Sequence, residues 1–273
     1  MEIRALYNLG DVSNEQVSVL FTGGSDSTLA AYLMCEMFKK VHLLTFLISA
    51  MGNLDRCQIH VKRLQDRFGK RNVIHTYIDI EKLLKKTFYG TYIYDIRKYK
   101  TYLSALFCAA CNISMHTRTI IYNKKNEIRF ACDGQQADTR LVTTEKKIEN
   151  LRPLWSEQIQ KVLELVKNFY KNYDINYFNP VYNIERTDWE LFKRGFLKER
   201  DLKTKGRITQ ESNHHTFEKK TEHTCTGQVI GMHYLIHYFF PIHGWKKHEK
   251  LSFRYYEEKM KVNSRYIKRH LEN

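Results

Sequence analysis

The chain has 273 residues, 42% of them hydrophobic, with only 12 Gly and 3 Pro, which excludes general disorder and argues against a turn-dense all-β protein. Its 45 Lys and Arg against 30 Asp and Glu give a formal charge of +15, a field that favours a polyanionic partner. The longest apolar stretch, residues 41–51, is too short for a membrane span, and Glu2 and Arg4 with no apolar run behind them do not read as a secretory signal. The expectation is a cytoplasmic protein whose six cysteines stay reduced.

In chain order, residues 16–22 (QVSVLFT) read as a short buried strand, and 26–40 as a helix with Leu29, Leu33 and Met37 on one side. Residues 41–48 are a second strand, 54–69 a helix closing at Gly69, and 72–80 a third strand. The tyrosine-rich stretch 88–102 has no clear period. Residues 108–123 read as a helix, 127–132 as a fourth strand ended by Asp133-Gly134, 156–173 as a long helix and 188–195 as a short one. Residues 204–224 are polar and read as a loop, and the tail from residue 246 is basic and aromatic. Strand–helix alternation predicts an α/β fold. The sheet is expected to be doubly wound and mostly parallel, with helices on both faces and a basic, mostly helical C-terminal extension. The division expected is residues 1–180 and 181–273. Residues 190–273 hold 18 Lys and Arg against 10 Asp and Glu, so the positive excess leans toward that extension. In such sheets ligands bind beyond the carboxyl ends of the strands, where Gly23-Gly24, Ser49 to Gly52 and Asp133-Gly134 would meet.

The chemistry centres on Thr22-Gly23-Gly24-Ser25-Asp26-Ser27, between the first strand and the first helix. Two glycines let the backbone turn sharply and approach a ligand, and the helix start behind them offers N–H groups and a positive dipole end to a phosphate. The hydroxyls of Ser25 and Ser27 are further donors. Asp26 cannot bind phosphate directly; it suits a magnesium ion held against phosphate oxygens, or a helix cap. A Walker A loop and the GxGxxG dinucleotide fingerprint are both absent. The bland reading is an N-capped helix after a Gly-Gly turn.

This run resembles the SGGxDS signature of the PP-loop ATP pyrophosphatases, with Thr22 for the first Ser, and the resemblance spans roughly residues 14–230. Gly134-Gln135-Gln136-Ala137-Asp138 resembles that family's Gly-His-x-x-Asp stretch, with Gln135 where His is common, and Asn179-Pro180 followed by a helix resembles its late Pro-then-helix element. The resemblance implies a HUP-like fold and binding of ATP with Mg²⁺. The residues it assigns to ATP are Thr22, Gly23, Gly24, Ser25, Asp26, Ser27, Ser49, Gly134 and Asp138, with Asp26 catalytic. It implies attack of a substrate oxygen on the α-phosphate, release of pyrophosphate, then displacement of AMP by a sulfur or nitrogen nucleophile.

Cys108 and Cys111 form a CxxC, expected at the start of a helix, where the dipole favours thiolate. Together with the later Cys225 the pattern resembles the thiocytidine and thiouridine tRNA sulfurtransferases. That resemblance implies that Cys108, Cys111 and Cys225 hold a [4Fe–4S] cluster, with Cys108 and Cys111 counted in the catalytic set. Three other readings stay open for the pair: core packing, a persulfide-carrying redox pair, or Zn²⁺ with Cys225 and a histidine. Cys35, Cys57 and Cys132 read as core, and His233 and His237 as packing. The helix-then-Pro180 segment also resembles the cyano-deazaguanine synthases, whose C-terminal zinc cysteines are missing here apart from Cys225. The expected partners are ATP, a nucleic acid such as tRNA contacted through Phe253, Arg254, Tyr255, Tyr256, Arg265, Tyr266, Lys268 and Arg269, and a sulfur or nitrogen donor; a homodimer is compatible with the sequence. The alternatives are a small-molecule amidating or deazapurine-type enzyme without a cluster, and a non-catalytic ATP-binding module. The same tail also suits an amphipathic helix docked on the domain.

Overall fold

The computed structural model describes residues 7–48, 55–99, 103–135, 152–184, 186–198, 242 and 245–272. Five strands form one sheet: β1 (Gln16–Leu20), β2 (Lys40–Leu47), β3 (Val73–Asp79), β4 (Phe130–Cys132) and β5 (Asn176–Phe178). Their order is β3-β2-β1-β4-β5, and every neighbouring pair is parallel. Val17 on the central strand aligns with Val41 on one side and Phe130 on the other. The chain therefore winds outward from β1 through β2 to β3, then returns to β1's free side to lay down β4 and β5. The reversal puts the topological switch point between β1 and β4, the place where open α/β sheets bind ligands.

The described helices are α1 (Ser25–Met37), α2 (Asp55–Phe68), α3 (Glu81–Thr87), α4 (Tyr92–Tyr99), α5 (Leu103–Lys125), α6 (Arg152–Lys171), α7 (Thr187–Lys193) and α8 (Trp245–Leu271), with a 3₁₀ turn at Tyr89–Thr91. They cover both faces of the sheet, which is why the strands read as near-continuous apolar runs. Alternate residues serve alternate faces. Val17, Val19 and Phe21 pack with Leu29, Leu33 and Met34 of α1, Val61 and Leu64 of α2, and Leu191 of α7. Leu20, Leu44 and Phe46 point the other way, toward Leu84 of α3, Leu106 and Ala110 of α5 and Tyr255 of α8. A third cluster joins Ala131 and Tyr177 to Ile113 and Ile120 of α5, Val166 and Phe169 of α6, and Met260 and Ile267 of α8. The expected α/β architecture, a parallel sheet with helices on both faces, is what the described residues adopt, and every described strand pair is parallel.

Three local differences from the expectation have physical causes. β5 carries no period long enough to read, because only Asn176, Tyr177 and Phe178 pair with β4. Of the stretch 88–102, the described residues 88–99 form a helical corner: Phe88 and Tyr99 are buried while Ile93 and Tyr94 face solvent, so its aromatics carry no single face. α5 begins at Leu103, so Cys108 and Cys111 lie beyond its first turn, where the dipole effect has faded. Leu191 and Phe196 belong to the same core as β1, and α8 packs on α5 and α6, so the described residues past 180 share cores with residues before it.

α8 docks through an apolar stripe and a set of ion pairs. Lys259, 6% exposed, meets Asp95, 2% exposed, at 2.6 Å. Thr91 Oγ1 donates to Asp95 at 2.7 Å, and Lys259 Nζ donates to the same hydroxyl at 2.7 Å. Lys98 binds Glu258 at 2.5 Å, and the Tyr99 hydroxyl donates to that carboxylate too.

Candidate functional site

The 22–27 loop leaves the carboxyl end of β1 at the switch point. Gly23 has φ +78°, a backbone that side chains other than glycine's resist, and a Cβ there would lie 2.9 Å from the Cα and N of Cys57. α2 thus comes down directly onto the turn. Cys57 Sγ, buried, donates to the Thr22 carbonyl at 2.9 Å. Burial pushes this thiol's pKa up, so Cys57 is a neutral donor that seats the loop. Nothing in the sequence singled it out from Cys35 and Cys132. Those two also have raised pKa values from burial, Cys35 to about 12, as core thiols do.

Gly24 is the N-cap of α1 in an extended conformation, and no side chain caps the helix. The hydroxyls that could have done so are engaged elsewhere. Ser27 Oγ donates to the Gly24 carbonyl at 3.2 Å, lies 3.1 Å from Thr22 Oγ1, and accepts from the Thr22 N–H at 3.2 Å. Ser27, read from sequence as a phosphate donor, is a buried brace inside the loop here. Ser25 Oγ lies 3.4 Å from Asp26 Oδ1, and Asp26 accepts a short hydrogen bond from Thr187 Oγ1 of α7. Asp26 is thereby held off its own helix end, which removes the N-capping reading for it. The first N–H groups of α1 stand without a side-chain cap, in the positive end of the dipole, behind a partly exposed Ser25–Asp26 face.

The second wall comes from the far side of the switch point. Gly134 follows β4, and a Cβ on it would lie 2.4 Å from Ser27 N and 2.6 Å from Asp26 C. Only a residue without a side chain fits between the β4 turn and the start of α1. The turn is anchored by Asp133, which is buried. Its carboxyl accepts from Tyr177 Oη at 2.6 Å, Asn179 Nδ2 at 2.9 Å and the Gln135 N–H at 3.0 Å. Burial raises this carboxyl above the ordinary range, and the donors from Tyr177 and Gln135 pull it partly back. Asn179 in turn accepts from the Val181 N–H at 3.3 Å, and its carbonyl accepts from Tyr7 Oη. Arg186 pairs with Asp188 at 2.9 Å at the head of α7, the helix that brings Thr187 to Asp26.

Thr22, Gly23, Gly24, Ser25, Asp26, Ser27 and Gly134 thus come together at one sheet edge. Ser49, Asp138 and Cys225 lie outside the described residues, as do His233, His237 and the 204–224 stretch. Asp133, expected with Gly134 at this edge, lies here too, and Asn179, singled out only as part of the Asn179-Pro180 element, bonds to it. Cys57, Tyr177 and Thr187 also line the site and were not singled out for it. Asp133 ahead of Gly134 and Asn179 ahead of Pro180 carried a signal, since short polar side chains at strand ends commonly bond local backbone. Cys57, Tyr177 and Thr187 carried none.

The CxxC sits elsewhere. Cys111 is buried and Cys108 half-buried on α5, within the layer that includes Phe107, Leu106 and Tyr255. Neither is in a disulfide, and burial, with both thiols beside it, pushes the pKa of Tyr256 up. Among the described residues no three His, Cys, Asp or Glu side chains converge as a metal site. Likewise, none of the described helices is long and apolar enough to cross a membrane.

No family model matches the chain, and no curated protein matches it. Among solved structures it is similar to a predicted subunit of tRNA methyltransferase from Methanocaldococcus jannaschii, at 17% identity, with 67% of this chain and 75% of that one covered and a TM-score of 0.37.

Proposed function

We propose that the chain binds ATP at the 22–27 loop and splits it between the α- and β-phosphates, adenylating a nucleic-acid substrate and releasing pyrophosphate. The observation that carries this reading is the start of α1: a helix end at the switch point, free of a side-chain cap, walled by two glycine close approaches, with one carboxylate beside it. The backbone N–H groups there would take the β- and γ-phosphates, which become the leaving pyrophosphate. Thr22, exposed at the loop's outer side, adds a hydroxyl. Asp26, oriented by Thr187, has lone pairs left for a magnesium ion bound mainly by phosphate oxygens, a site that needs only one or two carboxylates. That ion would neutralise charge developing on the leaving group. Cys108 and Cys111 lie in the layer around Leu106 and Tyr255, and Cys225 is outside the described residues, so the proposal stops at adenylation and routes no step through a cluster.

The test is ATP binding by calorimetry together with pyrophosphate release, with and without added RNA. Binding and RNA-stimulated release, both lost in Asp26→Asn, are expected. Binding without release would make the chain a nucleotide-binding module; no binding would remove the reading altogether.

A further inference from the structure

α8 sorts its charges by face. Its inward side carries Tyr255, Lys259, Met260, Asn263 and Ile267, all buried. Its acids turn toward the body of the protein: Glu249 pairs with Lys161 of α6 at 2.7 Å and Glu258 with Lys98 of α4 at 2.5 Å. The outward side is different. Lys247, Lys250, Arg254, Lys261, Arg265 and Lys268 recur at helical spacing along one line, and all six are exposed. Glu257 is the one acid on that line. From Lys250 to Lys268 the line runs about 27 Å at about 1.5 Å per residue. Lys86 of α3 lies 5.9 Å from the ring centre of Tyr266, and it widens the cationic surface beside the line.

We propose that this face of α8 tracks the phosphate backbone of a double-helical RNA strand. The proposal rests on the nucleic-acid half of the reading above and supplies the surface that reading lacks. Cations one helical turn apart, about 5.4 Å, meet consecutive phosphates of one strand. The C3′-endo sugar of RNA draws those phosphates closer together than B-form DNA does, nearer to that pitch. The contact is with backbone rather than unstacked bases: Tyr255 is fully buried against Tyr99, Tyr256 is packed beside Asn112, and the half-buried Tyr266 is already packed on His270 with ring centroids 3.9 Å apart. A membrane surface fits less well. A helix that lies on a bilayer inserts its apolar face, and here that face is already docked on α5 and α6.

The experiment is fluorescence anisotropy with a labelled RNA duplex of about 20 base pairs, without ATP, over a range of salt. The variant is Lys250→Gln/Arg254→Gln/Lys261→Gln/Arg265→Gln. A matched variant, Lys39→Gln/Lys70→Gln/Arg71→Gln/Lys125→Gln, removes the same charge from exposed positions at the amino edge of the sheet. The first variant is expected to lose on the order of 100-fold in affinity at moderate salt and to flatten the log–log salt slope by about 3; the second is expected to change both far less. Equal losses in the two variants would reduce the effect to net charge and overturn the proposal, as would no loss in the first. Equal affinity for a DNA duplex of the same sequence overturns the assignment to RNA, and stripe-dependent binding to phosphatidylserine vesicles without RNA binding overturns it in favour of a membrane. Should the four-fold variant melt early, the pairs Lys250→Gln/Arg254→Gln and Lys261→Gln/Arg265→Gln carry the same test. ATP binding is measured on the same proteins: its absence in the unmodified chain sinks the nucleotide reading and leaves the RNA result standing.

Discussion

Replacing Gly134 by Ala tests whether the β4 turn and the 22–27 loop form one surface. The added Cβ would stand 2.4 Å from Ser27 N and 2.7 Å from Ser27 Cα. Ordinary contact begins near 3.4 Å, so the two segments must separate by about 1 Å. Both sides resist. The turn is tied by three hydrogen bonds to Asp133, and the loop by those of Ser27 and Cys57. Forced overpacking of this kind costs about 1–3 kcal/mol. For a chain of this size that lowers Tm by roughly 2–10 °C. A 1 Å displacement of positioning groups costs on the order of 100-fold in turnover, so pyrophosphate release should fall by about that factor, and ATP affinity at least tenfold. A thermal melt, calorimetry with ATP and a pyrophosphate assay read the three quantities. Ile120→Val serves as the control: Ile120 is fully buried in the α5–α6 layer, and its loss of about 1 kcal/mol is confined to packing. If Gly134→Ala binds ATP as the unmodified chain does while melting several degrees lower, the loop is not the nucleotide site. If it melts unchanged, the close approach itself is wrong.

Thr187→Ala removes the hydroxyl that orients Asp26; ATP affinity in the presence of Mg²⁺ should weaken about tenfold, Thr187→Ser should restore it, and the Mg²⁺ dependence of binding checks both. Asp95→Ala strands Lys259 in the docking face of α8 and should destabilise by about 3–5 kcal/mol, whereas the double variant Asp95→Leu/Lys259→Met should recover most of the loss; urea melts separate the two. The pH dependence follows from buried histidines. His116 has its pKa lowered to about 3 and His42 to about 4, both by burial. Above the unfolded value of about 6.5 both are neutral in either state and the stability is fully present; as pH falls below it, the unfolded chain takes up protons that the folded one refuses. The loss from His116 alone should reach about 2 kcal/mol by pH 5, with His42 adding to it. Equal urea midpoints at pH 7 and pH 5 would contradict both placements.

What could be read from the chain beforehand follows the length and regularity of each signal. β1 to β3 and the helices between them are long and apolar on a fixed period, so they were legible to within a few residues. The loop was legible because Gly23-Gly24 sits where a strand period turns into a helix period. The second wall was half legible: Gly134 stood out, but its reason for being glycine, the backbone of Ser27, is a contact across more than 100 residues of chain. β5 is three residues long, and Thr187 owes its place to α7 packing on α1, neither of which leaves a local trace. The tail mixed two readings that the fold largely separates: Tyr255, Glu249 and Glu258 dock the helix along with the buried Lys259, while Lys250, Arg254, Lys261, Arg265 and Lys268 face outward.

The site draws on both halves of the sheet, which constrains how it forms. The loop comes from the β1–β2–β3 half and is seated by Cys57. The wall at Gly134 comes from the β4–β5 half, held by Asp133, Tyr177 and Asn179. Thr187 reaches Asp26 only after α7 has packed on α1. On the proposed reading, a nucleotide bound there would recognise β1 paired on both sides and nothing less complete, and at free concentration c it would stabilise the assembled sheet by RT ln(1 + c/Kd). The buried Asp133 carboxyl has the same logic. Its cost in the folded state is offset by donors from β5 and the segment after it, so the β4 turn is held in place only when the last strand has docked. If the proposed nucleotide site is right, an unassembled sheet would be incompetent to bind ATP, because the glycine wall and the oriented carboxylate would be absent together.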